Sequence, residues 1–498
     1  MMMIKSALVF FFLFALGVRV SKLSAQPSVA LNKARDVLQN TIAIFPDSTE
    51  VIIRSVTITG YKKTKQYIIL REMPFRNGSK ILSNHLFDVM EQARINIVNT
   101  QLFLEVLPCI EKKEGNSVDV VFDVKERWYI FPFPLFKLVD RNPNQWLIEQ
   151  KGSLERVNYG AKLTWDNVSG RRDKLNITFV NGYTREHGIS YEQPYADKKL
   201  EKGFLVGVYY KEGRQIAFAT ENNKQIFFPV SNVDIKGFVK RSIKAEVGFS
   251  IRKGVNHRHQ FRLSYNNEKI ADTISNIIRD NPSKNYLPYF YGNKTKQQFA
   301  EFLYSYQYYN VNNIVYPWKG FAFQGSFMQR GLGAREMNLW QFSGKAGRFF
   351  ELNRTTSISA VGYYMVKVPF KQPVFNLGSM GYGEWFLRGL EYYVIDGVHA
   401  AMFKGTIRHE LLNVNVPTPF TKNEKYRKIP FKIIAKLYGD IGASYLPDYT
   451  TNSLNNKFLY TYGAGFDVLS YYDFVARIEY SFNQLGQKGL FLHIRKDF

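Results

Sequence analysis

Phe474-Val-Ala-Arg-Ile-Glu-Tyr-Ser-Phe482 reads as two interleaved patterns. Phe474, Ala476, Ile478, Tyr480 and Phe482 are apolar or aromatic, while Val475, Arg477, Glu479 and Ser481 alternate with them and carry the ionic groups. A period of two describes a β-strand with two unlike faces. Ionic groups on one face and rings on the other suit a wet lumen and a lipid surface. Lys432–Ala443 repeats this: Ile433, Ala435, Leu437, Ile441 and Ala443 take the outer face, and Lys432, Lys436, Tyr438 and Asp440 the inner one. Similar segments recur at Leu175–Phe179, Phe204–Tyr210, His259–Tyr265 and Ala300–Tyr308, separated by Gly, Asn, Asp, Ser and Lys. From Asn158 to Phe498, roughly 340 residues at about 20–22 per strand and turn give about sixteen antiparallel strands. The fold class expected is a transmembrane β-barrel. Alternation by itself also fits a soluble all-β protein such as a propeller.

The composition narrows this. Among 498 residues there are 41 Phe and 32 Tyr, too many for intrinsic disorder. The same rings suit the aromatic girdles of a membrane barrel. A single cysteine, Cys109, excludes a disulfide framework and a cysteine-based zinc site. Seven scattered histidines give no reason to expect a metal or cofactor. The formal net charge of +25 first suggests nucleic acid or anionic lipid as a partner. The N-terminus argues against nucleic acid. Lys5, an apolar run from Ala7 to Val18 and a small residue at Ala25 describe a secretory signal peptide over residues 1–25. The run is shorter than the ~20 residues of a membrane span; an uncleaved interfacial anchor is the alternative. Loss of Lys5, Arg19 and Lys22 with the signal lowers the charge from +25 to +22. That charge then faces lipid headgroups, lipopolysaccharide, a polar lumen or a client protein. No later apolar run reaches ~18 residues, which leaves a closed barrel as the way to satisfy a backbone in lipid.

Residues 50–126 read as a small α/β domain. Val51–Thr59 is a β-branched strand, Thr64–Glu72 holds a short helix, and Ser83 can cap a second helix. Leu86, Val89, Met90, Ala93, Ile97 and Val98 share one face of that helix. Phe103–Glu111 and Ser117–Glu126 follow as strands, giving a three-stranded sheet under two helices. The stretches TITGYKKTKQYIILREM (57–73), NGSKILSNHLFDVMEQARINIVNTQLFLEV (77–106) and VDVVFDVKERW (118–128) closely resemble a POTRA (polypeptide-transport-associated) domain. An edge strand of such a sheet can accept an extended client by β-augmentation; which residues do so is not readable. Residues 26–49 read as a flexible lead, and the Pro- and aromatic-rich residues 127–157 as a stiff linker into a barrel spanning 158–498.

Several separated motifs after residue 50 resemble the Bam-type outer-membrane assembly superfamily, also called bacterial surface antigens, in which POTRA domains precede a sixteen-stranded barrel. They are Trp165–Asp173 with Tyr191-Glu-Gln-Pro194, Tyr316-Pro-Trp-Lys-Gly320, Phe386-Leu-Arg-Gly-Leu390, Arg408–Leu412 and Tyr438–Gly442. The last strand, with Gln487, Gly489, Leu490, Leu492, Ile494 and a terminal Phe498, resembles the C-terminal signal of outer-membrane barrels. The resemblance implies that Arg388 tips a long loop folded back into the lumen, where acidic residues of the two following strands face it. Physically, a guanidinium pairs bidentately with carboxylates, here Glu410 and Asp440, and stacks on Tyr438. Gly389 permits a tight turn and Gly442 leaves room for it. Leu390 stands where the family usually has an aromatic residue, with Tyr392 nearby.

The function implied is a non-enzymatic insertase in the bacterial outer membrane, with its POTRA domain in the periplasm. Its partners would be unfolded outer-membrane barrel precursors, lipid and lipopolysaccharide, and periplasmic chaperones or lipoproteins. The alternatives are a two-partner-type secretion pore and an accessory translocation paralogue. No Walker pattern, GxSxG elbow or Ser/His/Asp spacing points to an enzyme.

Overall fold

The computed structural model describes residues 36–494 apart from positions 37, 44, 47 and 471 and segments 139–156, 230–236, 333–336, 418–427 and 448–451. The signal-peptide segment, the first part of the lead and Phe498 lie outside the described residues.

The N-terminal domain runs β1 (Glu50–Thr59), α1 (Gln66–Leu70), β2 (Lys80–Leu82), α2 (Ser83–Val98), β3 (Phe103–Glu114) and β4 (Ser117–Glu126). Its sheet has four strands in the order β2-β1-β4-β3, with β1 and β4 parallel and the other pairs antiparallel. The fourth strand, beyond the three expected, is the short β2. Leu86, Met90, Ala93 and Ile97 of α2 recur at i, i+3 and i+4 and bury against Val118, Val120, Phe122 and Val124 of β4. Val89 and Val98 are half-buried beside them. Two expectations change here. Ser83 is not a cap: it lies inside α2, and its hydroxyl donates to the Pro46 carbonyl at 2.8 Å. Leu38, Ile42 and Phe45 of the supposed flexible lead are buried in the domain core. They fall at i, i+4 and i+7, a helical spacing, but three residues make too short a run to decide the reading against a loop.

The rest is one antiparallel sheet of sixteen strands with two small hairpins in its loops. In chain order these are β5 (Ile130–Leu138), β6 (Val157–Asp166), β7 (Lys174–Gly182), β8 (Thr184–Gln193), β9 (Lys202–Gly213), β10 (Ile216–Glu221), β11 (Lys224–Phe228), β12 (Lys240–Lys253), β13 (His257–Ile270), β14 (Lys296–Val311), β15 (Gly320–Leu332), β16 (Leu339–Asn353) and β17 (Thr356–Val368). They continue with β18 (Gly378–Met380), β19 (Ile395–Asp396), β20 (His399–Pro417), β21 (Lys428–Tyr445), β22 (Phe458–Ser470), β23 (Phe474–Asn483) and β24 (Lys488–Ile494). The pairs β10-β11 and β18-β19 form the hairpins; all other strands from β5 to β24 belong to the barrel sheet. Among the described residues, no helix is long and apolar enough to cross a membrane.

Burial follows the alternation. On β23, Ile478 and Tyr480 are exposed while Val475, Glu479 and Ser481 are buried. On β21, Leu437 and Ile441 are exposed while Lys436, Tyr438 and Asp440 are buried. Phe249, Tyr265, Phe342, Tyr364, Phe403 and Phe466 join the exposed set, so the outer face is apolar and the charges point into the lumen.

The linker reading of 127–157 also changes. Ile130–Leu138 is the first barrel strand, paired in register with β6 from Ile130↔Trp165 to Leu138↔Val157. Pro132 and Pro134 argued against a strand, but proline is compatible with a sheet at an edge, and β5 is an edge.

Candidate functional site

The loop between β17 and β20 enters the lumen and is pinned there by Arg388, which is 6% exposed. Its Nε donates to Asp440 Oδ2 at 2.9 Å, and its Nη2 pairs with the other oxygen of that carboxylate. The Arg388 backbone N–H adds a third bond to Asp440 at 3.1 Å. Nη1 donates to Thr406 Oγ1 at 3.1 Å and Nη2 to the Gly405 carbonyl at 3.3 Å. The guanidinium lies 4.0 Å from the ring centre of Tyr438, whose hydroxyl is 2.6 Å from Ser481 Oγ. A planar fork is thus filled from two strands, β20 and β21, which a point charge could not reproduce.

The glycines serve the same loop. Gly389 has φ +96°, and a Cβ there would sit 2.9 Å from Ser481 Cβ. Its carbonyl accepts from Asn483 Nδ2 at 2.8 Å. At Gly442 a Cβ would meet Leu387 Cδ1 at 3.3 Å and the Ala401 carbonyl at 3.0 Å, so a side chain would press on the tip. Leu387 and Leu390 are buried in an apolar cluster with Met402 and Leu459. Leu390 itself fills the place next to Gly389, while Tyr392 is exposed.

Glu410 is not a partner of Arg388. It shares the inward side of β20 with Thr406 but lies four residues further along, about 13 Å at strand rise. There it pairs with Lys432 at 3.4 Å and accepts from Asn413 at 3.0 Å. The second carboxylate near Arg388 is Glu479 on β23, 3.9 Å from Nη1. Glu479 also accepts from the buried Lys436 at 2.7 Å, and Lys436 in turn pairs with Asp467. Asp467 accepts the Tyr316 hydroxyl at 2.8 Å. The Arg408 guanidinium stacks on Tyr316 at 4.6 Å. The Tyr316-Pro-Trp-Lys-Gly320 turn therefore closes one end of a polar network that starts at Arg388. Thr406, Lys436 and Glu479 were missed as members; alternation placed Lys436 and Glu479 inside but could not give their height along the barrel.

Around the near rim, the barrel turns grip the N-terminal domain. In the turn after β6, the Gly170 carbonyl accepts the Lys65 N–H at 2.9 Å, and Asn167 Nδ2 donates to Thr64 Oγ1 at 2.9 Å. The turns after β8 and β12 supply the Leu200 and Gly254 carbonyls to Arg71 at 2.6 and 3.0 Å. Glu72, fully buried, takes a bidentate pair from Arg252. Burial alone would raise the Glu72 carboxyl, but Arg252, Arg71 and Arg172 outweigh it and hold it below its ordinary value. Asn99 bonds the Val311 carbonyl and the Ile314 N–H at 2.9 and 3.1 Å. Arg127 and Gln101 reach Asp473, in the turn after β22, at 2.9 and 3.0 Å.

The barrel sheet ends at β5 and β24, and among the described residues no ladder joins them. Gln487 exchanges bonds with the Tyr393 hydroxyl at 2.8 and 3.1 Å, tying the start of β24 to the lumen loop. Gly489 lies under the Phe491 ring, where a Cβ would approach to 3.0 Å. Leu490 and Ile494 are exposed on the outer face, with Leu492 half-buried between them. In the small domain the sheet edges are β2 and β3, and β3 carries the exposed Cys109.

An α/β domain seated on the rim of a sixteen-stranded membrane barrel with an arginine-pinned lumen loop defines the class of this protein. Residues 51–127 match the family model described as POTRA, surface antigen variable number repeat. Among solved structures, the chain is similar to BamA from Haemophilus ducreyi lacking POTRA domains 1–3, at 14% identity over 90% of this chain and 83% of that one, with a TM-score of 0.44. It is similar to CdiB from Escherichia coli at 10% identity over 96% and 98% of the two chains, TM-score 0.44. CdiB from Acinetobacter baumannii is similar at 13% identity over 89% and 73%, TM-score 0.41. No curated protein sequence matches. The small domain is thus a POTRA domain.

Proposed function

We propose that the chain is a non-enzymatic assembly factor of the Bam type, folding and inserting β-barrel clients into the bacterial outer membrane. On this reading the near rim and the POTRA domain lie in the periplasm. The observation that supports it most is the linear order of the barrel sheet, which ends at two short strands, β5 and β24. A free strand edge pairs with any extended chain through main-chain hydrogen bonds. Strand β3 offers a second such edge on the POTRA domain. Unfolded barrel precursors would be captured there, extended on the barrel edge and released sideways into lipid. Client folding and burial in lipid supply the driving force. Lipopolysaccharide and anionic headgroups are partners for the basic rims, and periplasmic chaperones or lipoproteins would deliver the clients.

Reconstitution tests this. Liposomes holding the purified protein should fold an added, urea-unfolded barrel client faster than empty liposomes do. Equal rates would remove the proposal. The rival readings, a two-partner-type secretion pore or an accessory translocation paralogue, separate on depletion from cells. General loss of outer-membrane barrels supports the insertase, and loss of one exported protein supports the pore.

A further inference from the structure

Where the lumen loop meets the last two strands, three side chains from distant parts of the chain converge. Glu391 lies two residues past the pinned glycine, Glu479 on β23 and His493 on β24. Each offers one ligand atom, and these atoms lie within 4.8 Å of one another. His493 Nε2 is 3.3 Å from Glu391 Oε1 and 3.5 Å from Glu479 Oε2. Ligands held about 2.0–2.2 Å from a tetrahedral zinc ion are separated by about 3.3–3.5 Å. One imidazole N–H shared between two carboxylate oxygens makes at best long, weak bonds at those distances, whereas a cation among the three atoms would bond all of them directly.

The carboxylates are also held from behind, as metal ligands are. The other oxygen of Glu391 accepts the Gly389 N–H at 2.7 Å. The other oxygen of Glu479 accepts from Lys436 at 2.7 Å. Phe386 packs against the His493 ring, with centroids 5.3 Å apart. The three side chains are 13%, 1% and 17% exposed, so the site is largely shielded, and water can complete a fourth position. The neighbouring cations Arg388 and Lys436 reach Glu479 only on its other oxygen and are shared with Asp440 and Asp467.

We propose that Glu391, Glu479 and His493 form a binding site for a zinc-like divalent cation that fastens the tip of the lumen loop to β23 and the edge strand β24. The ligands come from segments up to 102 residues apart, so no spacing motif announces them. The site stands independently of the client reading, since it concerns only the hold on the edge strand.

The test is zinc titration of the purified full-length protein in detergent micelles after a chelator wash. One zinc ion per chain is expected, and Glu391→Gln and His493→Ala should each weaken binding by more than about 100-fold, by loss of a direct ligand. Glu391→Gln lies in the loop and leaves both strands intact, which guards against a misfolded variant. Cobalt in place of zinc should show the visible spectrum of a four-coordinate site in wild type and lose it in both variants. His257 and His259 are two residues apart on β13 and form a second histidine cluster, so a His257→Ala/His259→Ala variant should bind as wild type does. Absence of stoichiometric binding, binding unchanged by the Glu391 and His493 changes, or binding lost only with His257 and His259 would each overturn the proposal.

Discussion

Arg388 is buried with every edge of its guanidinium in use, so its removal strands Asp440 as an unpaired charge in the lumen. Loss of one partner of a buried pair costs about 3–5 kcal/mol. Arg388→Ala and Asp440→Asn should therefore lower the unfolding midpoint of the barrel, measured as its heat-dependent gel mobility shift. Arg388→Lys should recover only part of that loss, because an ammonium cannot bond Asp440, Thr406 and Gly405 together. Glu410→Ala should change the midpoint little, since the half-exposed pair with Lys432 is worth about 0–1 kcal/mol. Glu479→Gln should be the damaging change. Wild-type stability in Glu479→Gln would show that the network does not depend on it. This contrast also marks what a sequence can give at this scale. The types and inward parity of Tyr438 and Asp440 are legible by alternation. Glu410 was attractive because it sits in a motif, yet parity does not report position along the strand, and only the register of β20 on β21 sets Glu410 beside Ile434 instead of Asp440.

Among the elements, the two edge strands differ in kind. Pro132 and Pro134 lie two residues apart and so share one side of β5, and neither has an N–H. The unbroken ladder to β6 leaves the missing donors on the open side. Such an edge resists permanent pairing with β24. Replacing both prolines with valine restores two donors and should zip the sheet shut. The expected outcome is a more heat-resistant barrel, and, under the proposed function, one that accelerates client folding in liposomes less than wild type does. Unchanged stability and unchanged client folding would mean that the prolines do not govern the edge. The barrel strands were legible because a lipid face and a wet face impose a strict period of two. Strand β5 was hidden by the same prolines that define it, and the lead around Leu38, Ile42 and Phe45 by the brevity of its apolar signal.

For the whole molecule, the POTRA domain is held on the barrel rim by an ionic seat as well as by the short link 127–129 into β5. Glu72 is held below its ordinary value of 4.5, so its pairing with Arg252 contributes in full above that pH. The contribution is lost as pH falls through the depressed folded value. Hydrogen-exchange protection in the 254–256 turn, taken relative to the intrinsic rate at each pH, should accordingly fall in acid and hold in alkali. Glu72→Gln should show the acid level of protection already at neutral pH, and equal protection in both proteins would discount the seat. The net charge of +25 that first hinted at nucleic acid resolves into lumen networks such as this one and into the rims.

The contacts from Lys65, Arg71, Glu72, Asn99 and Arg127 reach turns on several sides of the near rim, while the Arg388 loop occupies the lumen above them. With the POTRA domain seated on the rim and the Arg388 loop inside, the barrel is expected to be closed to ions at both levels. In a planar bilayer the wild-type protein should pass little steady current, and Glu72→Gln should flicker to larger conductances. A large constant current in wild type would contradict the stopper. A cell could then carry many copies of such a protein without becoming permeable to the toxic small molecules that its envelope exists to keep out.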